Sequence, residues 1–80
     1  MRRLPVVERR AHHLLDVALA NALVDKPETA LGTLLAAERT APEEVRIDPG
    51  ARALVSELRL RDRQHGSQLE DLAGRMLRAT

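Results

Sequence analysis

The sequence predicts an all-α fold of four short helices, arranged as antiparallel helical hairpins within a single helical domain over residues 1–80. The length allows one small domain, which would bury roughly 60–65% of the surface that its unfolded chain exposes. The chain contains no Phe, Tyr, Trp or Cys, and 14 Leu and 12 Ala, both strong helix formers, dominate its apolar residues. A thin core without aromatic rings or disulfides is expected to be marginal alone, so a partner chain would stabilise it.

The first hairpin is predicted over about residues 6–39. In the second half of its first helix, residues 17–24, only Asn21 is polar. Because a helix that is apolar on every side is normally buried on every side, the remaining helices would struggle to cover this segment. The second helix is expected to have Asp25 as its cap and Pro27 in its first turn.

A second helix pair is predicted over about residues 48–78. Between the two pairs, Pro42 is expected to open a single helical turn. The dipeptide at residues 48–49, Asp-Pro, starts the third helix, which ends near Gln64. The fourth helix begins at Ser-Gln-Leu-Glu, residues 67–70, which has the pattern of a capping box.

The first hairpin also carries the spacing of one tetratricopeptide unit. In this pattern a large residue is followed by a large and a small residue three and four positions later, and small residues recur where the two helices cross closely. Leu14, Leu34 and Asn21 occupy three positions where the family usually has aromatic residues. A generic helical hairpin would match several of these positions by chance. The residues predicted to form the hairpin core are Leu14, Val17, Ala18, Ala30, Leu34 and Ala37.

Three segments, residues 9–18, 36–46 and 51–58, carry a resemblance that covers most of the chain. Its most specific part is Ala-Glu-Arg-Thr-Ala-Pro-Glu-Glu-Val-Arg at residues 37–46. The chain resembles the C-terminal tetratricopeptide-like region of actinobacterial XRE-type helix-turn-helix transcriptional regulators. The resemblance implies an α-solenoid sensory or dimerisation region that is cytoplasmic and linked to transcription regulation. No helix-turn-helix domain is recognised in these 80 residues, so the DNA-binding role does not carry over with the resemblance.

In a tetratricopeptide unit the first helix lines the ligand-facing groove. The Lys and Asn residues with which the family clamps a C-terminal carboxylate are not in place here. What remains is an apolar groove with a polar entrance, which suits a helical protein partner or a second copy of the chain as a homo-oligomer, such as a dimer. The alternative is that these leucines pack on the later helices. The predicted interface consists of His12, Leu15, Asp16, Leu19, Ala22 and Leu23.

No pattern of an enzyme or of a cofactor site is expected in this chain. It has no Cys or Tyr, no Gly-rich phosphate loop, and no convincing base beside Ser56. Glu8, His12 and Asp16 recur at four-residue steps, as in some metal-binding helices, but no second element offers ligands. A solvated polar stripe is the expected role of these three residues, and no metal site is predicted. His65 precedes a glycine and is expected to be a turn residue.

Charge is nearly balanced, with 13 basic and 12 acidic residues. The alternative function is that of a DNA-binding transcriptional regulator that uses its arginine-rich C-terminal half. Acidic residues lie among these arginines and stacking aromatics are lacking, so nucleic-acid binding by this chain alone is not expected. No apolar run approaches the ~20 residues that span a bilayer, and no secretory signal is recognised, so a cytoplasmic location is expected. The arginines concerned are Arg59, Arg61, Arg63, Arg75 and Arg78.

Overall fold

A computed structural model of the chain describes residues 6–61 and 66–77. Within these ranges the fold is all-α and contains no strand. The single turn that was predicted after Pro42 is a separate helix of six residues, so the described ranges contain five helices rather than four. The positions predicted for the end of the third helix, Gln64, and for the turn residue His65 lie outside the described residues. The helices are α1 (Val6–Leu23), α2 (Pro27–Thr40), α3 (Pro42–Ile47), α4 (Pro49–Arg61) and α5 (Ser67–Leu77).

Three of these helices begin at a proline: Pro27, Pro42 and Pro49. Proline suits the first helical position because its fixed φ is helical and its missing N–H would have no intrahelical acceptor there. Asp48 caps α4, since the backbone N–H of Ala51 donates to Asp48 Oδ2 at 2.9 Å. The predicted restart of the chain at Asp-Pro, residues 48–49, is therefore confirmed.

The turn between α1 and α2 is a Schellman motif centred on Asp25. The N–H of Lys26 donates to the carbonyl of Asn21 at 2.8 Å, and the N–H of Asp25 donates to the carbonyl of Ala22 at 3.1 Å. Asp25 has a φ of 62°, in the left-handed region where glycine is usual. The prediction that Asp25 caps α2 was wrong: Lys26 occupies that position and makes no side-chain capping bond, because Asp25 ends α1 instead.

The helices α1 and α2 form a packed antiparallel pair, and small residues line their contact. Ala18, Ala30 and Ala37 are fully buried, as is Leu34. Side chains from all five helices join these residues in one apolar cluster, and the Cα radius of gyration, 12.2 Å, is close to the ~12 Å expected for this length. None of the described helices is both long and apolar enough to cross a lipid bilayer. The later helices contribute Val45, Leu54, Val55, Leu58, Leu69, Leu72, Ala73 and Met76 to the cluster.

Candidate functional site

The predicted interface residues of α1 divide into two groups. Leu15 and Ala22 are 5% and 6% exposed and belong to the core, so the expectation that they face a partner is corrected. They lie on the stripe that recurs every three or four residues with Ala11 and Ala18, and this stripe faces the other helices of the chain. For these two residues, the alternative given above applies: they pack against other helices of the same chain.

The other four predicted residues form a narrower surface. They are spaced by four, three and four residues, so they follow one another along one side of the helix. Leu23 is 87% exposed and Leu19 is 38% exposed, while Asp16 is exposed and His12 is half-buried. This surface, His12, Asp16, Leu19 and Leu23, is called the outer face of α1 below.

The predicted hairpin core lies mostly inside the molecule. Ala18, Ala30, Leu34 and Ala37 are fully buried. Leu14 and Val17 are half-buried, and Leu14 packs against the core from its edge. The small residues thus lie where the two helices meet, and the larger ones of α1 lie at the margin.

A buried charge that sequence reasoning missed joins three helices. Glu38 in α2 is only 5% exposed. Arg75 in α5 donates to both of its carboxylate oxygens, from Nε and Nη2, at 2.8 Å each. Arg46 in α3 donates from Nε to Glu38 Oε2 at 3.3 Å. These three residues, the Glu38 cluster, connect α2, α3 and α5 through charge-assisted hydrogen bonds.

The protonation of the Glu38 cluster follows from these bonds. The hydrogen bond from Arg75 holds the pKa of Glu38 below its ordinary value, although burial of the carboxylate acts in the opposite direction. The same hydrogen bond raises the pKa of Arg75. The pair is therefore ionised at neutral pH, and its role is to hold the helices together.

One signal in the sequence could have revealed Glu38. It lies four residues after Leu34 and next to Ala37, on the buried stripe of α2. A carboxylate on a buried stripe needs a partner because an unpaired buried charge is costly. Its main partner, Arg75, lies 37 residues further along the chain, which local spacing does not identify.

Two further arginines bind the carboxyl-terminal ends of helices. Arg61 donates from Nη1 to the carbonyl of Ala22 at 3.1 Å and from Nη2 to Asp25 Oδ1 at 3.2 Å. Arg52 donates from Nη1 to the carbonyl of Met76 at 2.6 Å. A cation at the end of a helix satisfies carbonyls that have no intrahelical donor and complements the helix dipole.

The arginines that were considered for nucleic-acid binding are largely engaged within the chain. Arg75 belongs to the Glu38 cluster, Arg61 binds the end of α1, and Arg59 Nε lies 3.5 Å from Glu70 Oε2. Arg63 and Arg78 lie outside the described residues. In the described part of the C-terminal half, each of these guanidinium groups thus already has a carboxylate of the same chain beside it.

An open cleft of about 400 Å³ lies between the start of α1 and the junction of α2 with α3. Its walls are Val7 and Glu8 on one side and residues 40–44 on the other. The hydroxyl of Thr40 donates to the carbonyl of Ala36 at 2.8 Å.

No three His, Asp or Glu side chains within residues 6–61 and 66–77 are grouped so that they could hold a metal ion.

No protein-family model, curated protein or solved structure matches this chain.

Proposed function

We propose that this chain is a non-enzymatic protein-interaction and dimerisation module of tetratricopeptide-like type, linked to transcription regulation. Its binding surface is the outer face of α1, which takes a second copy of the chain or a helical protein partner. The observation that carries this proposal is the exposure of Leu23 and Leu19, 87% and 38%, on a helix whose adjacent stripe is already packed into the core. Exposed apolar side chains that follow one helix face are typical of a helix-in-groove or helix-pairing contact.

The hairpin supports the repeat-like part of the proposal. Its two helices meet at the fully buried alanines Ala18, Ala30 and Ala37, where a tetratricopeptide unit requires small residues. The chain departs from a regular array after Pro42, because a helix of only six residues follows where the next repeat would continue with a long helix. The link to transcription regulation depends on the resemblance of residues 9–18, 36–46 and 51–58 to the regulators named above.

The DNA-binding alternative has less support. Phosphate binding requires arginines that are free to leave their present partners, and Arg59, Arg61 and Arg75 each have a carboxylate of the same chain beside them. We therefore place the function on the apolar surface rather than on the arginines.

The proposal is tested by measuring the mass of the chain in solution by light scattering from about 10 μM to about 1 mM, a range that covers weak association. The mass is expected to rise above 8.9 kDa with concentration. Leu23→Glu should keep the chain monomeric, because a carboxylate at the contact would lose its hydration.

Leu60→Glu is the matched control. Leu60 is 81% exposed, close to the value for Leu23, but it lies on α4. This variant should associate like the unaltered chain. A mass of 8.9 kDa at every concentration would contradict self-association, and an equal loss in both variants would place the contact elsewhere.

A further inference from the structure

We propose that α3 and α5 open and close as one unit while α1, α2 and α4 stay folded. The inference concerns a conformational device of the fold. It goes beyond the proposed function and does not depend on it, since that function places the contact on the outer face of α1. Three observations carry it: two atoms that each bind both helices, the shortness of α3 and α5, and the separate attachment of α4.

A single carboxylate oxygen, Glu38 Oε2, binds both helices. It accepts from Arg46 Nε of α3 at 3.3 Å and from Arg75 Nε of α5 at 2.8 Å. Glu38 is buried, and hydrogen bonds of charged groups are strongest where water is excluded. Departure of α5 would expose this carboxylate to water, so the bond that holds Arg46 would weaken at the same time.

A single nitrogen of α4, Arg52 Nη1, also binds both helices. It donates to the carbonyl of Arg46 in α3 at 3.3 Å and to the carbonyl of Met76 in α5 at 2.6 Å. Both carbonyls lie in the last turn of their helices, where the helix itself supplies no N–H donor. One guanidinium therefore caps the C-terminal ends of α3 and α5 together, and the two helices also contact each other directly.

Neither helix is long enough to persist without these contacts. α3 has six residues and α5 has 11, whereas isolated helices shorter than about 12–15 residues are marginal in water. α3 is anchored by the buried side chain of Val45. We expect this single apolar anchor to be too little for α3 once α5 has left, so that the two helices unfold together. α5 buries a longer stripe, which consists of Leu69, Leu72, Ala73 and Met76.

The attachment of α4 to α1 does not pass through α3 or α5. Arg61, the last residue of α4, donates to the carbonyl of Ala22 at 3.1 Å and to Asp25 Oδ1 at 3.2 Å. α4 also packs on both α1 and α2, which are the two longest helices and form the packed pair. The opened state therefore keeps these three helices and exposes Glu38 together with part of the apolar cluster.

Hydrogen exchange of the full chain, resolved helix by helix with mass spectrometry, tests the coupling. Ala73→Gly destabilises α5, because glycine is a poor helix former and a buried methyl group is lost. Exchange in α5 should become about tenfold faster, and exchange in α3 should accelerate by the same factor although the substitution lies outside α3. An unchanged rate in α3 would show that the two helices open independently and would overturn the proposal.

Ala20→Gly is the matched control. Ala20 is exposed on α1, so this variant weakens a helix that stays folded in the opened state. Because the closed and opened states are weakened equally, exchange in α3 and α5 should change less than twofold. Amides of α1 and α2 that exchange only on complete unfolding should become about fivefold faster. Equal acceleration in all five helices would mean that the chain opens only as a whole, which also overturns the proposal.

Arg52→Met removes the shared nitrogen and keeps an unbranched apolar side chain. Both α3 and α5 should exchange about tenfold faster, since each loses a hydrogen bond from a charged donor. Arg39→Met is the control: Arg39 is exposed on α2, and its replacement should change both rates less than twofold. Acceleration in only one of the two helices would contradict their coupling through Arg52.

Discussion

At the junction of α2, α3 and α5, Glu38 binds two arginines of its own chain, whereas the outer face of α1 presents Asp16 without an ion-pair partner among the described residues. Glu38 is 5% exposed, whereas Asp16 is exposed. The same chemical group therefore stabilises the fold in one region and is available to a second molecule in the other. Substitutions at the junction of α2, α3 and α5 should therefore change stability, and substitutions on the outer face of α1 should change association.

The largest effect is expected from Glu38→Gln. Glutamine keeps the size of the side chain but removes the charge, so Arg46 and Arg75 lose their counterion. Breaking a fully buried ion pair costs about 3–5 kcal/mol, and because both guanidinium side chains remain 36–37% exposed we expect about 2 kcal/mol here. Urea denaturation, at chain concentrations too low for dimerisation, measures the free energy of unfolding of both proteins.

Glu57→Gln, at an exposed position, serves as the control for Glu38→Gln and should change stability by less than about 0.5 kcal/mol. Equal stability of the two variants would show that the Glu38 cluster contributes no net stabilisation. Reduced association in Glu38→Gln, with an unchanged free energy of unfolding, would contradict the division between the two regions.

Acidification should remove part of the same stabilisation. The pKa of Glu38 is lower in the folded chain than its ordinary value of 4.5, so the unfolded chain takes up this proton first as the pH falls. The contribution is therefore fully present above pH 4.5 and is lost as the pH falls through the lower pKa of the folded state. The difference in unfolding free energy between the unaltered chain and Glu38→Gln should shrink on acidification, and a difference that stays constant down to the acid transition would contradict this account.

Much of the fold could be predicted from the sequence because it depends on local signals. Prolines placed the starts of α2 and α4, and the three- to four-residue recurrence of apolar residues placed the buried stripe of α2. The division of the α1 surface could not be predicted in this way, because Leu15 and Leu19 differ by only about 40° in rotation about the helix axis. Which of them is covered depends on how α1 rotates against helices that lie far away in the sequence.

The ends of helices show the same limit. The pattern around Asp25 fits a capping box for α2, yet the residue ends α1 in a left-handed conformation and binds Arg61, which lies 36 residues later. Local spacing predicts that this carboxylate caps α2, whereas in the folded chain it binds Arg61. For the same reason the six-residue helix α3 was expected only as a turn, since its length depends on the packing of Val45, which is fully buried.

The smallest effect is expected at Asp25, which combines a backbone cost with an exposed ion pair. A non-glycine residue in the left-handed region costs about 1 kcal/mol relative to glycine. The ion pair with Arg61 is worth less than this, because the side chain of Asp25 is 83% exposed and exposed pairs contribute about 0–1 kcal/mol. Asp25→Gly should therefore raise stability by a few tenths of a kcal/mol, whereas Asp25→Ala should lower it, since alanine keeps the backbone cost and loses the ion pair. Thermal melts of the two variants measure the sign of each change in stability. A glycine variant that is less stable than the unaltered chain would show that the carboxylate at this exposed turn stabilises the fold, as the Glu38 cluster does.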